Sequence, residues 1–277
     1  MHKEANKKRI RKTLFLTVIM LFAAWSAYTW HPVTERISPD ITKETGDRVR
    51  IVLVTDLHSC FYGKDQKSLI RRIDAENPDV LMLGGDIFDD KLGDENAKKL
   101  LQDMVSKYPC YYVTGNHEYW SGRVSEMKQY LESIGVNVLE GECVTTEING
   151  VTLDICGVDD PTYMSRKDWT DQLQSAYEGT NENHIKILLT HRPEEVYEYE
   201  KYDYDLILSG HAHAGQFRIP FINRGLFAPD QGFMAEYVNG TYTLSNGKLL
   251  VVSRGLARES TPAPRYFNHP EIVVLNL

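Results

Sequence analysis

The sequence predicts an α/β protein in which two mixed β-sheets pack as a sandwich behind one N-terminal transmembrane helix. Three observations predict it. Short apolar runs alternate with helix-periodic stretches from Arg50 onward. Two Asn-Gly dipeptides, at 149–150 and 246–247, separate strand-like runs. A run of eighteen uncharged residues follows a strongly basic N-terminus.

The first twelve residues carry Lys3, Lys7, Lys8, Arg9, Arg11 and Lys12 against Glu4 alone. The uncharged stretch Thr13–Trp30, closed by Trp25, Tyr28 and Trp30, follows. As a helix it would measure about 27 Å, just enough to cross a hydrocarbon core. It is longer than a usual signal-peptide core, and its small-x-small site, Ala24-Trp25-Ser26, holds a bulky Trp. An uncleaved signal anchor is therefore expected over 13–30. The basic flank of 1–12 is expected to stay in the cytoplasm, which makes the protein single-pass in the cell membrane, with everything after Trp30 on the extracytoplasmic side. Residues 31–49 are polar and proline-bearing and read as a linker or an entry strand.

Within 50–277, IVLVT (51–55), DVLMLGG (79–85) and CYYVTG (110–115) are buried-strand runs. LIRRI (69–73) fits a helix. Ala97, Leu100, Leu101, Met104 and Val105 fall on one face of a second helix. Val124, Met127, Leu131 and Ile134 mark a third, with Gly135 at its C-cap. Apolar strands alternating with helices indicate parallel βαβ units with both sheet faces covered. The Asn-Gly turns add antiparallel hairpins. IKILLT and YDLILSG then resume the buried strands, with no domain boundary after residue 50.

At 277 residues, 42% hydrophobic and 25% charged, the composition is that of an ordinary globular chain. The whole chain carries −8, and because the first twelve residues carry +5 the remainder carries −13. So acidic a body has no broad basic surface for releasing counterions, and nucleic acid is not an expected partner. A phosphorylated small molecule is compatible, since bound cations reverse the local sign. Cys60, Cys110, Cys143 and Cys156 show no CxxC pairing and read as buried thiols; outside the cytoplasm they could pair, and spacing does not say which. A monomer is expected.

Chemistry collects where the strand runs end. Asp56-Leu57-His58 follows the first, Asp86 the second, and Asn116-His117-Glu118 the third; His191 follows IKILLT, and His211 and His213 follow LILSG. Ligand sites of open α/β sheets lie outside the carboxyl ends of strands, so these residues should converge. Five of the nine histidines occupy such positions. Carboxylate, amide and imidazole donors without thiolate suit Mn, Fe or Zn. Seven such donors are too many for one ion and about right for two. A carboxylate is then needed to hold the cations together, and the central Asp86 is the natural bridge.

The set DLH…GGDIFDD…GNHE…TH…GHAHAGQ resembles the calcineurin-like metallophosphoesterase superfamily, whose pattern is D-x-H, G-D-x-x-D, G-N-H-[DE], H and G-H-x-H. All blocks occur in order across residues 51–216. The extension GHAHAGQFRIP and the closing SRGLARESTPAPRYFNHPEIVVLNL further resemble a membrane-anchored bacterial branch that includes enzymes similar to UDP-2,3-diacylglucosamine hydrolases. The resemblance implies a four-layered αββα sandwich and two divalent metal ions. Carried over residue by residue, Asp56, His58 and His213 hold one metal, Asn116, His191 and His211 hold the other, and Asp86 bridges. His117 is implied to be the non-ligand general acid. The implied activity is hydrolysis of phosphomonoesters, phosphodiesters or pyrophosphates by metal-activated hydroxide.

The stretch QFRIPFINRGLFAPDQGFMAEY places Phe217, Phe221, Phe227 and Phe233 beside Arg218 and Arg224. These aromatics either pack beneath a long loop or form an apolar rim. In the second case a lipid-linked envelope substrate is expected, and otherwise a smaller phosphoester. Arg254, Arg258 and Arg265 either clamp phosphate or form structural ion pairs. The competing functional reading is a catalytically silent, metal-containing scaffold that binds a phosphorylated ligand; the presence of His117 speaks against it.

Overall fold

Side chains alternate between the faces of a strand, so where each strand is apolar decides how many layers can stack on it. The computed structural model describes residues 2–27, 30–41, 48–218, 224–260 and 264–277. Its strands are β1 (Val33–Ile37), β2 (Arg50–Val54), β3 (Val80–Gly84), β4 (Cys110–Val113), β5 (Asn137–Val138), β6 (Cys143–Ile148) and β7 (Val151–Gly157). They continue with β8 (Ile185–Leu189), β9 (Leu206–Ser209), β10 (Phe227–Ala228), β11 (Gly232–Phe233), β12 (Gly240–Thr243), β13 (Leu249–Val252) and β14 (Glu271–Asn276). One sheet runs β1-β14-β2-β3-β4-β5 and the other β12-β13-β9-β8-β7-β6. In each, four adjacent strands are parallel (β2 to β5, and β13, β9, β8 and β7); β14 runs antiparallel to β2 and parallel to β1 in the first sheet, and the edge strands β12 and β6 are antiparallel to their neighbours in the second.

Both faces of the central strands are apolar, and three cores result. Ile51, Leu53, Met82 and Val113 meet Ile155, Ile187 and Leu208 between the sheets. Val52, Val54, Leu81 and Leu83 face outward onto Leu69, Ile73, Leu100, Leu101 and Leu131. Those partners belong to α2 (Lys67–Asp74), α3 (Glu95–Val105) and α5 (Val124–Ser133); α1 (His2–Ala27) precedes all three, and the short α4 (Asn116–Trp120) lies between α3 and α5. On the far side, Leu188, Ile207 and Val252 pack against Trp169, Leu173, Val196 and Tyr199. These lie on α6 (Arg166–Glu178) and α7 (Val196–Tyr199). The layers are thus α, β, β, α. Helix α6 has no counterpart among the elements read from the sequence; Trp169, Leu173 and Ala176 form its buried face, and the Ser165 hydroxyl caps it by accepting from the Asp168 N–H.

The Asn149-Gly150 turn has positive φ at both residues, 53° and 78°, as a two-residue hairpin requires. It sets the register of β6 on β7, and that register places Cys143 directly opposite Cys156. The two are disulfide-bonded, whereas Cys60 and Cys110 are buried free thiols. The buried-thiol reading is therefore corrected for one pair: spacing along the chain does not reveal cross-strand register.

Two N-terminal expectations change. Within 31–49 the linker gives way to its alternative, an entry strand, at Val33–Ile37, which forms an edge strand paired parallel to β14. Residues 42–47 lie outside the described residues. The membrane span over 13–30 is also not met, because no helix among the described residues is long and apolar enough to cross a membrane. Tyr28 and Thr29, near the end of that uncharged stretch, lie outside the described residues. The large apolar side chains of α1 from Leu14 to Phe22, and Trp25, nevertheless stand exposed.

Candidate metal centre

The carboxyl ends of five strands bring the expected residues to one edge of the sandwich. β2 delivers Asp56 and His58, β3 Asp86, and β4 Asn116 and His117; across the inter-sheet core, β8 delivers His191 and β9 His211 and His213. Backbone bonds fix the strand ends to one another. Asp56 N–H donates to the Gly85 carbonyl at 3.0 Å and His58 N–H to the Asp86 carbonyl at 2.8 Å. His211 N–H reaches across the sheets to Asp56 Oδ1 at 2.9 Å.

Donor atoms of Asp56, His58 and His213 lie within 4.8 Å of one another, and so do those of Asp86, His191 and His211. Asp86 connects the groups. Its Oδ2 is 3.5 Å from His58 Nε2 in the first and 3.2 Å from His191 Nε2 in the second. Asn116 is buried and borders the same cavity.

Four buried polar atoms have no hydrogen-bond partner here: Asp56 Oδ2, His58 Nε2, Asp86 Oδ2 and Asn116 Oδ1. Leaving a buried polar atom unsatisfied costs about 1–3 kcal/mol, so four in one cluster need a compensating ligand. The imidazoles are oriented for that ligand to be cationic. His191 Nδ1 donates to the Gly84 carbonyl at 2.8 Å and His58 Nδ1 to Asp89 Oδ1 at 3.0 Å, leaving both Nε2 lone pairs inward. His211 is turned the other way: Nε2 donates to Asp230 Oδ2 at 2.9 Å, and Nδ1 lies 3.2 Å from His191 Nε2. The donor set fits divalent ions.

Electrostatics point the same way. Burial alone would raise the Asp86 carboxyl, yet the neighbouring His191 and His58 hold it well below the carboxylate range. Burial would lower His191, and Asp86 instead pushes it up to about 10. His213 faces His58 and Arg265, and burial with their charge pushes it down. The carboxylates thus draw positive charge into the cluster, a demand that bound cations satisfy while displacing the protons.

Backbone strain is concentrated on the same residues. Asp56, His58, Asp86, His211 and His213 have φ of 51°, 47°, 51°, 65° and 47°, in the left-handed region that non-glycine residues seldom adopt. Strain of this kind persists where surrounding structure over-determines it, typically at functional sites. Close approach also explains a glycine of the motif. A Cβ on Gly210 would stand 2.5 Å from Asp56 Oδ2.

Several supporting groups had no assigned role from sequence. Glu118, fully buried, accepts the backbone N–H of Asp86, Ile87, Phe88 and Gly115 at 2.8–3.0 Å, which fixes the Asp86 turn. Asp90 Oδ1 takes the His117 Nδ1 proton at 2.6 Å, with Asp89 Oδ1 at 3.3 Å. Burial alone would lower His117, but Asp89, Asp86 and Asp90 raise it to about 9. Its Nε2 is left for the cavity that the ring borders. Asp89 was visible as the last letter of G-D-x-x-D; Asp230, far along the chain, had no signal.

The three candidate phosphate-clamp arginines are structural. Arg254 pairs with Glu271, Arg258 stacks on Trp30 and Tyr62, and Arg265 bonds the Ala257 and Arg254 carbonyls. Phe217, Phe227 and Phe233 are exposed, not packed beneath a loop; Phe221 lies outside the described residues. A cavity of about 310 Å³ opens over the cluster, bordered by Asp86, Asn116, His117, His213, Trp120 and Phe227.

Residues 49–215 match the family model described as calcineurin-like phosphoesterase. A metallophosphoesterase of Campylobacter jejuni is 31% identical over 95% of this chain and 68% of its own length. A bovine protein described as a transmembrane protein with a metallophosphoesterase domain is 30% identical over 77% of this chain and 50% of its own. Among solved structures, the NAD nucleotidase of Haemophilus influenzae superposes with a TM-score of 0.52 at 16% identity, over 78% of this chain. The matched region is 46% of the nucleotidase, so the likeness is one of fold.

Proposed function

The chain belongs to the calcineurin-like phosphoesterase family and is a metal-dependent phosphohydrolase, and from that premise we propose a dinuclear site acting on an envelope or membrane-derived phosphoester. Asp56, His58 and His213 would hold one divalent ion (Mn, Zn or Fe), Asn116, His191 and His211 the other, and Asp86 both. The observation that carries this reading is the convergence of four unpartnered buried donor atoms, with Asp86 Oδ2 between His58 and His191. Bound at that position, two cations neutralise the phosphoryl oxygens and activate water at neutral pH.

The chain's own groups do the rest. His191 and His58 are locked in one tautomer by Gly84 and Asp89, so no reorientation is needed when ions bind. Asp90 and Asp89 grip His117 Nδ1 and hold the ring against His58, edge to face at 4.3 Å between centroids. On this reading His117 Nε2 would protonate the departing ester oxygen. Glu118 keeps the Asp86 turn from relaxing out of its left-handed conformation.

Two features support an extracytoplasmic, lipid-associated setting for this activity. The Cys143–Cys156 disulfide belongs to oxidising compartments. The exposed apolar side chains along α1, beside a basic flank, suit contact with a lipid surface. The deciding experiment is a metal-by-substrate screen on the full chain, with Mn, Zn and Fe against aryl, alkyl, nucleotide and sugar-lipid phosphoesters. Turnover requiring about two ions per chain is expected. Phosphoester binding without turnover under every metal would favour the silent scaffold.

A further inference from the structure

Beside the donor atoms, the same cavity carries an aromatic wall that metal chemistry does not require. Trp120 lies three residues beyond His117 in α4, and its ring sits 4.7 Å from the His117 imidazole between centroids. It borders the cavity and yet is 52% exposed. Phe227 and Pro229 border the cavity too, and Phe227 is 61% exposed. Both belong to the β10–β11 hairpin. A phosphoryl group fills only a small part of this cavity; the remainder lies between aromatic surfaces next to the residue placed to protonate the leaving group.

The hairpin is registered to the metal ligands. Asp230, in its turn, bonds His211 Nε2 at 2.9 Å and also pairs with Arg192. Arg192 is in turn held by Asp160 through Nε at 2.5 Å and Nη2 at 3.1 Å. The Phe227 wall is therefore tied through one carboxylate to His211, at a fixed place relative to the cluster. Half-exposed Trp and Phe gain little from folding, but they are effective surfaces for covering an apolar ligand.

We propose that Trp120 and the Phe227–Phe233 hairpin form an apolar subsite for the leaving group of the substrate, so that the enzyme selects phosphoesters whose leaving group is an aliphatic chain or an aromatic ring. The inference rests on the phosphohydrolase reading and names its substrate class. No group in this subsite supplies chemistry. It binds the alcohol portion beside His117 and leaves the phosphoryl group to the metal cluster.

The test uses the full chain with n-alkyl phosphates of increasing length, phenyl and naphthyl phosphates, and matched non-hydrolysable n-alkyl phosphonates. Burying a methylene predicts about a two- to fourfold gain in kcat/KM and in phosphonate affinity per added carbon over the first several carbons. Trp120→Ala and Phe227→Ala should each at least halve that gain per carbon with metal content unchanged, while Phe227→Leu should keep most of it. An aryl series that rises more steeply than alkyl esters of equal size identifies a ring as the occupant; the reverse identifies a chain. A flat series in the wild type, or a steep one unaffected by both alanine variants, overturns the subsite. If phosphonate affinity climbs with length and is lost in the variants while no ester is cleaved under any metal, the subsite stands and the phosphohydrolase reading is what fails.

Discussion

His117 separates the possible roles of the cluster most sharply. The ring lies beside His58 and Asp89, and these three could themselves hold a cation, so its assignment as a proton donor has a concrete competitor. The geometry favours the donor role: Nδ1 is engaged by Asp90 at 2.6 Å and Asp89 at 3.3 Å, and the ring borders the cavity. With its pKa raised to about 9, the imidazolium exceeds the neutral form by about a hundredfold at pH 7. A group raised in this way donates below that pKa and stops donating as pH rises through it. His117→Ala should therefore retain both metals and lose about 10²–10⁴-fold in rate on alkyl phosphates, whose alkoxide cannot depart unprotonated. On p-nitrophenyl phosphate, which releases a stabilised phenolate, the loss should be much smaller, within about tenfold on the same Brønsted reasoning. Steady-state rates on the two substrates, with elemental analysis of each protein, make the comparison. Depleted metal together with equal losses on both substrates would show that His117 is a ligand and would refute the reasoning.

Further outcomes follow from separate parts of the molecule. Asp86→Ala should empty both metal positions, because its Oδ2 lies beside histidines of both groups; elemental analysis finding close to two ions per chain would remove it as the bridge. The Cys143–Cys156 bond closes a separation of 13 residues, so the double serine variant should lose about 3 kcal/mol of stability by chain entropy, measured by urea unfolding; superimposable curves would show that the β6–β7 register needs no staple. Asp203 is held down to about 2 by Lys186 and Lys248, so its contribution is complete above the ordinary carboxylate range and is lost as pH falls from about 4 toward 2. In Asp203→Asn the thermal midpoint should fall less steeply than in wild type over that window, and parallel curves would count against the pair.

Legibility in the sequence followed the range of the interactions involved. β2, β3, β4, β8 and β9 could be read because each is covered on both faces and therefore appears as a largely apolar run. Helices α2, α3 and α5 could be read because one face meets the sheet and the other meets water. The seven expected ligands sit within a few residues of those strand ends, so locating the strands located the ligands. Cross-strand relations were not available in the same way. The Cys143–Cys156 pair depends on a hairpin register, and β1 enters the sheet by pairing with β14, more than two hundred residues away.

The groups that hold the ligands mark where local reading stops. Glu118 stands within a recognisable block, but four backbone N–H groups converge on it only because β3 and β4 end side by side. Asp230 lies 19 residues beyond His211, in a hairpin with no strong strand signal, and becomes meaningful only when its carboxylate is found on the imidazole. The left-handed backbone of Asp56, His58, Asp86, His211 and His213 is equally silent in the sequence, because Asp and His, although enriched in that region, adopt it at only a small minority of their positions. The cluster is thus specified at two ranges. Strand ends deliver the donors in one register, and distant carboxylates and tight turns then fix which lone pairs point inward. Replacing Asp230 should consequently disturb His211 without removing any expected ligand, lowering affinity for the metal that His211 holds by about 10–100-fold, as expected when a partner behind a metal-binding histidine is lost. Calorimetric titration of Asp230→Ala should show one weakened site beside one unchanged. Two unchanged sites would mean that the inward lone pair of His211 is fixed by its place in the strand alone.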